Sequence, residues 1–209
     1  MGTLEERTAL ITGVSGAIGG ELARVFAREG ARVIGTYRSR RDAAEQAVAD
    51  IPAARRTLIP AGFGGGESAR ELWRDACAHG PIDTVVVNAA AMVATPLSGD
   101  DEDWDAGWLE SLQVNVIAAS TLMREAANTF AERGSGSIIA ISSWAAEQGS
   151  RIPDVAAYAA SKAALRNFAQ TLARAQARSG VRVYTIAPGV VDGGMGTADL
   201  DPEAVRAVA

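Results

Sequence analysis

Tyr158 and Lys162 stand four residues apart in Tyr158-Ala-Ala-Ser-Lys162, so on a helix they share one face. A tyrosine and a lysine at this spacing are commonly a surface pair. Position argues for more here, because the pair follows Ser142-Ser143 at the end of an apolar run. A phenol with an ordinary pKa of about 10 is a poor acid or base at neutral pH unless a cation stabilises its phenolate. An ammonium one turn away supplies that cation, and a serine hydroxyl can bind the same substrate oxygen. The chemistry within reach of these residues is proton exchange with a substrate oxygen.

A second cluster, Thr12-Gly-Val-Ser-Gly-Ala-Ile-Gly19, lies between a predicted strand and a predicted helix. Glycine lets the backbone come close to a pyrophosphate, and a helix amino terminus offers unpaired N–H groups with a partial positive charge. The strand before and the helix after favour a dinucleotide site over an ordinary tight turn. The expected contacts are Gly13, Ser15, Gly16, Ile18 and Gly19. No Gly-Lys-Ser/Thr follows, which argues against a P-loop nucleotide hydrolase. At the end of the second predicted strand an acidic residue would bind the adenosine ribose and select NAD(H). This chain has Tyr37-Arg38-Ser39-Arg40-Arg41 instead. A guanidinium pairs bidentately with a 2′-phosphate, so NADP(H) is expected over NAD(H), with Arg38 and Ser39 as contacts. A solvated basic helix start explains Arg40 and Arg41 equally well.

Two periods alternate along the chain and must position these groups. Short apolar runs at 8–12, 31–37, 56–60, 82–88, 137–142 and 181–186 predict strands. Helical patterns separate them: Ile18, Leu22, Val25 and Phe26 ahead of Gly30, then 41–50, 67–79, 101–132 and 155–179. Strands separated by helices run parallel through right-handed crossovers. The expected fold is therefore α/β, a doubly wound parallel sheet in three layers, as one domain over 1–209. Such sheets bind ligands outside the carboxyl ends of their strands, here 12–19, 37–41, 61–66, 88–97, 142–150 and 187–197.

The 209 residues are 48% hydrophobic and 22% charged, with 20 basic against 25 acidic side chains, as in a soluble globular protein. A net charge of −5 without blocks of like charge argues against nucleic acid or an anionic membrane as the main partner. The stretch from Thr84 to Gly99 is too short and polar to span a bilayer, and the amino terminus lacks a signal-peptide pattern. The single cysteine, Cys77, rules out an internal disulfide framework and suits a reducing cytoplasm. His79, the one histidine, precedes Gly80-Pro81 at the amino edge of the sheet. That leaves no histidine in the crevice for a serine-hydrolase triad or a zinc site. No metal is expected.

Taken together and in order, Thr12–Gly19, Asn88-Ala-Ala90, Asn115, Ser143, Tyr158-Ala-Ala-Ser-Lys162 and Pro188-Gly189 resemble the short-chain dehydrogenase/reductases along nearly the whole chain. The resemblance implies a Rossmann-like fold, a nicotinamide cofactor and alcohol–carbonyl interconversion on a small-molecule substrate. It implies Tyr158 as the acid–base residue and Lys162 as the group that binds the nicotinamide ribose and lowers the tyrosine pKa. Ser143, rather than Ser142, would orient the substrate oxygen, and Asn115 would hold a water that links the lysine to a proton relay. Asn88, Ala89 and Ala90 would line the cofactor, and Pro188, Gly189 and Val191 would border the nicotinamide. The resemblance also implies a homo-oligomer, dimer or tetramer, because the family's fourth and fifth helices usually form the interface.

Some positions depart from the family pattern. Ala17 replaces a glycine of the turn, Val87 and Ala90 replace the outer residues of an Asn-Asn-Ala-Gly segment, Gly62 stands for an aspartate, and Gly193 for a threonine. These changes bear on cofactor affinity more than on chemistry. The family's last helix and strand are expected to be missing, since Asp201–Ala209 reads only as the start of a helix. Trp104 and Trp108 are expected to pack on the fourth helix, whereas Trp144 could equally line the substrate pocket. With Ile152, Val155 and Met195 it suggests an apolar carbonyl compound: a 3-oxoacyl thioester, a steroid-like ketone or a small aldehyde. The competing reading is a catalytically silent NADP-binding sensor on the same fold, which would keep the glycine turn and lose the acid–base residues.

Overall fold

Runs rich in Val, Ile, Leu and Ala can be buried on both faces, and in the computed structural model, which describes residues 2–191 and Met195, six of them form one parallel sheet. The strands are β1 (Thr8–Ile11), β2 (Arg32–Tyr37), β3 (Arg56–Pro60), β4 (Thr84–Val87), β5 (Gly136–Ile141) and β6 (Val181–Ile186). Successive side chains point to opposite faces, and the core divides accordingly. Leu10, Ile34, Val85, Val87 and Ile138 face one layer, and Ala9, Ile11, Val33, Val86 and Ile141 the other.

The first layer is made by α3 (Gly66–Cys77), α5 (Ala119–Arg133) and α7 (Ala156–Ala175). They contribute Leu72, Trp73, Ala126, Phe130 and Leu165, with Trp73 and Phe130 meeting edge to face at 6.1 Å. The second layer is α1 (Ala17–Arg28) and α2 (Arg41–Ala47), which pack through Ala23, Ala27 and Ala44. Small residues at these contacts bring the helix backbones close to the sheet.

Strand order is β3-β2-β1-β4-β5-β6, so the winding reverses between β1 and β4. The two strands pair in register, with Ile11 opposite Val86. Beyond that pair the connections diverge to opposite layers and leave a crevice. β6 forms the far edge, with Tyr184 and Ile186 exposed.

Tertiary contacts move several element ends. The single helix expected over 101–132 is three segments. First comes α4 (Asp101–Leu112), capped by Asp100, whose carboxylate accepts from the Asp103 amide at 2.9 Å; then a π-helical stretch (Gln113–Ala118); then α5, ended by Gly134 in the left-handed conformation. The second helix stops at Ala47 rather than 50, because Val48 and Ile51 turn into the core. The last helix stops at Ala175 rather than 179, where the Ser179 hydroxyl bonds Gln176. The fourth strand is trimmed to Thr84–Val87. The segment 145–155 is not a plain loop: it holds α6 (Ala145–Gln148) and a 3₁₀ turn (Pro153–Val155). Gly193 and the helix start at 201–209 lie outside the described residues. No helix among the described residues is long and apolar enough to cross a membrane.

Candidate active site

Thr12, the first residue past β1, is fully buried and ties the two sides of the crevice together. Its hydroxyl accepts from the Asn88 and Ala89 amides, both at 2.9 Å, and donates to the Val86 carbonyl. Asn88 returns the tie, donating its side-chain amide to the Thr12 carbonyl at 2.9 Å. Thr36 at the end of β2 accepts from the Gly13 amide. The turn after β1 is thus fixed from both neighbouring strands.

Gly13 takes φ 75°, a left-handed conformation that favours glycine, and a Cβ there would stand 3.1 Å from the Ala89 Cα. A Cβ on Gly19 would lie 2.3 Å from the Gly13 carbonyl oxygen, so that glycine lets α1 sit directly on the turn. A Cβ on Gly16 would meet nothing closer than 3.5 Å, because that side faces the open cleft. Gly16 caps α1 with no side-chain hydrogen bond, and the first turn holds no acidic residue. The free amides there make an anion site, and the cradle fits a dinucleotide pyrophosphate.

This cleft encloses about 440 Å³, and Ser15, Ile18, Arg38, Ser39, Ala89 and Ala90 also line it. Ala17 puts its methyl group on the same wall. Where an aspartate was missing at Gly62, nothing approaches the glycine, and the neighbouring Ala61 and Phe63 form the surface instead. Arg38 is 70% exposed and ion-paired with Glu110 of α4 at 3.3 Å. Arg41 pairs with Glu45 one turn along α2, which accounts for it as a helix-start residue.

A smaller cavity of about 130 Å³ adjoins the first, and Ile18, Asn88 and Ala90 belong to both walls. Ser143, Tyr158 and Lys162 line it together with Pro188, Gly189 and Val191. The alternation at the end of β5 separates the two serines. The Ser142 hydroxyl donates to the Lys162 carbonyl at 3.1 Å, clamping β5 to α7, whereas Ser143 lies beside the phenol. The Trp144 amide donates to the Pro188 carbonyl at 3.0 Å and fixes this loop against the one after β6. On the other side, Thr95 anchors the start of α7 by accepting from the Ala157 amide.

Lys162 is 2% exposed, with its ammonium donating to the Ile141 carbonyl at 2.7 Å and standing 5.7 Å from the Tyr158 ring centre. Burial lowers its pKa to about 8. Burial also pushes the Tyr158 phenol above its ordinary range, while the Ser143 hydroxyl acts in the other direction. The family resemblance implies that the lysine lowers the tyrosine pKa. The structure differs: the ammonium is turned onto the Ile141 carbonyl, and desolvation is the larger influence on the phenol. The phenol is therefore protonated at neutral pH.

Asn115 is fully buried in the π-helical stretch. Its amide nitrogen donates to the Ala91 carbonyl and the Ser161 hydroxyl at 2.8 and 2.9 Å, and its oxygen accepts from the Ala91 amide. Both side-chain donors are used, so a water held by Asn115 has only oxygen acceptors to approach. The Ser161 hydroxyl in turn donates to the Tyr158 carbonyl at 2.7 Å, which links Asn115 to α7. Trp104 and Trp108 pack on each other at 5.9 Å, and Cys77 is half-buried against the core, as their positions suggested.

Thr12 is read in the sequence only as the start of the glycine turn, and Thr36, Thr95, Phe63, Val114, Met92 and Arg151 are not read as contacts; all of them hold or line the two cavities. For Thr12 and Thr36 a signal existed: a threonine closing an otherwise apolar, two-sided strand has to satisfy its hydroxyl inside the protein.

The short chain dehydrogenase family profile matches residues 7–204. A short chain dehydrogenase of Pseudocercospora fijiensis is 34% identical over 201 residues, which are 95% of this chain and 64% of that protein, so the chain spans less than two thirds of that relative. Galactitol 2-dehydrogenase of Agrobacterium fabrum is 33% identical over 203 residues, covering 91% of this chain and 72% of its own. Among solved structures, a 3-oxoacyl (acyl-carrier-protein) reductase from Agrobacterium tumefaciens with NADP bound superimposes with a TM-score of 0.84 at 30% identity, over 96% of this chain and 77% of that one. With this profile spanning the fold just described, the chain belongs to the short chain dehydrogenases, a family of oxidoreductases that act on CH–OH groups with NAD(P).

Proposed function

We propose that the protein is an NADP(H)-dependent ketoreductase, interconverting a carbonyl compound and a secondary alcohol. The observation that carries this is the convergence of Ser143, Tyr158 and Lys162 on a cavity that shares a wall with the glycine-turn cleft. NADP(H), when bound, supplies or accepts the hydride. Gly13, Ser15, Gly16, Ile18 and Gly19 hold its pyrophosphate, Arg38 and Ser39 its 2′-phosphate, and Asn88, Ala89 and Ala90 the span between. Pro188, Gly189 and Val191 flank the nicotinamide, and Lys162 its ribose.

In the reductive direction the Tyr158 hydroxyl gives its proton to the carbonyl oxygen, and the Ser143 hydroxyl holds the same oxygen by a hydrogen bond. A buried phenol with a raised pKa keeps that proton at neutral pH, which supports reduction as the working direction. The phenolate left behind is compensated through space by the Lys162 ammonium, which stands 5.7 Å from the ring centre and keeps two N–H donors beyond the one on the Ile141 carbonyl. Asn115 keeps the helix carrying both residues in position through Ser161.

The solved 3-oxoacyl reductase with NADP bound supports a 3-oxoacyl-thioester-like substrate and the choice of NADP(H). Exposed Leu109, Leu112 and Ile117 along α4 and the π-helical stretch support a homo-oligomer, and the lone thiol of Cys77 supports a cytoplasmic setting. The test is NADPH oxidation with a panel of ketones by wild type and Tyr158→Phe. Loss of the proton donor is expected to lower kcat about 10²–10⁴-fold while NADPH binding persists. NADPH binding without turnover of any ketone would instead favour the silent sensor.

A further inference from the structure

The carbonyl cavity carries one charge that the reaction does not use. Arg151 lines it, with its guanidinium 5.3 Å from the centre of the Trp144 ring, and Trp144 directly follows Ser143. The other cation of the cavity, Lys162, is buried beside Tyr158 and belongs to the reacting centre, with one N–H donated to the Ile141 carbonyl. No Asp or Glu among the described residues lines the cavity, and Arg151 has no carboxylate partner among them. The two acids that flank it in sequence are engaged or turned elsewhere. Glu147 pairs with Arg166, and Asp154 is exposed outside the cavity, its carbonyl accepting from the Thr95 amide at 2.6 Å.

A guanidinium held over an indole face by a cation–π contact keeps its N–H donors for another partner, and their fork matches an oxyanion bidentately. Trp144 gives it a firm base, because the Trp144 amide is held by Pro188 and the ring follows the serine of the reacting centre. Ile152, Val155 and Met92 line the same cavity and give it an apolar share of wall. The cavity therefore combines a site for a substrate oxygen at Ser143 and Tyr158, apolar wall, and a positive charge with no carboxylate partner among the described residues.

We infer that the substrate is an anionic carbonyl compound, an oxo-acid or a ketone phosphate, whose oxyanion is bound by Arg151 stacked on Trp144. This rests on the ketoreductase reading and names a charged substrate class in place of the apolar or thioester-like carbonyl compound. Carboxylate and phosphate share the chemistry that the fork recognises, and the two arms below separate them.

The experiment compares matched pairs with the NADPH-loaded protein. One arm sets 3-oxobutanoate, 4-oxopentanoate and 5-oxohexanoate against their methyl esters, and the other sets hydroxyacetone phosphate against hydroxyacetone. Wild type is expected to prefer the anion in at least one pair by tenfold or more in kcat/KM, less so at high salt. Arg151→Met, which keeps the apolar stem over the ring, should collapse that preference through KM, and Arg151→Lys should restore part of it. Equal or better use of every neutral partner by wild type overturns the inference, and so does an Arg151→Met variant that loses both partners alike.

If no ketone is reduced, the ketoreductase reading fails. Calorimetric binding of 4-oxopentanoate and its methyl ester to the NADPH complex then decides the inference separately. Binding of the anion alone, lost in Arg151→Met, supports the oxyanion site; no charge-dependent binding refutes it.

Discussion

Replacing Lys162 with methionine removes a buried charge of nearly the same shape, and the pH dependence of stability reads its effect. In the folded protein burial lowers this ammonium from 10.5 to about 8. Between those values the unfolded chain holds a proton that the folded chain has released, so wild-type stability rises with pH across that window. The methionine variant has no such group. A shift of this size is worth about 3 kcal/mol over the full window, of which about 1 kcal/mol falls between pH 7 and pH 9. The Ile141 carbonyl loses its donor in the variant, which costs about 1–3 kcal/mol at every pH and leaves the slope untouched. Urea denaturation of both proteins at pH 7 and pH 9 isolates the slope, because every other titrating group cancels in the difference. Wild type should gain about 1 kcal/mol on the variant, or about 2–4 °C in Tm. Two stability profiles that run parallel across this range would refute the burial argument for the lysine. Lys162 is the only lysine in the chain, so its amine can also be titrated directly by NMR without overlap from another lysine.

Glu110→Gln should release Arg38; since that ion pair is exposed, worth about 0–1 kcal/mol, NADPH affinity should tighten no more than about fivefold with NADH unchanged, as read by fluorescence titration. Arg38→Ala should weaken NADPH alone. Gly19→Ala forces a methyl group against the Gly13 carbonyl and should cost about 1–3 kcal/mol of stability in thermal melts, whereas Gly16→Ala, open to the cleft, should fold normally and lose NADPH affinity. Thr12→Val keeps the shape but strips the acceptor from two amides; a loss of about 1–3 kcal/mol per amide left unpaired should lower the urea midpoint, and an unchanged midpoint would mean that Thr12 does not hold the crevice together.

The order of strands and helices was legible because it rests on local periodicity. Apolar runs bounded by Gly30, Gly80 and Gly180 needed no partner to be read, and right-handed crossovers then dictated a parallel sheet. The same locality made Tyr158 and Lys162 readable, since four residues on a helix fix a shared face whatever surrounds it. Even the glycine turn announced itself by backbone freedom alone.

Other properties depend on groups far apart in the chain, and only the tertiary structure decided them. Glu110 reaches Arg38 across 72 positions. Asn115 is pinned by Ala91 and Ser161, inside a π-helical stretch that no period signals. The direction of the Lys162 ammonium, and with it the raised pKa of the phenol, follows from how deeply α7 and β5 bury the pair. That the Arg151 guanidinium comes to lie over the Trp144 ring was likewise decided only by the fold. Desolvation and ion pairing sum over every neighbour in space. A sequence states only the neighbours along the chain.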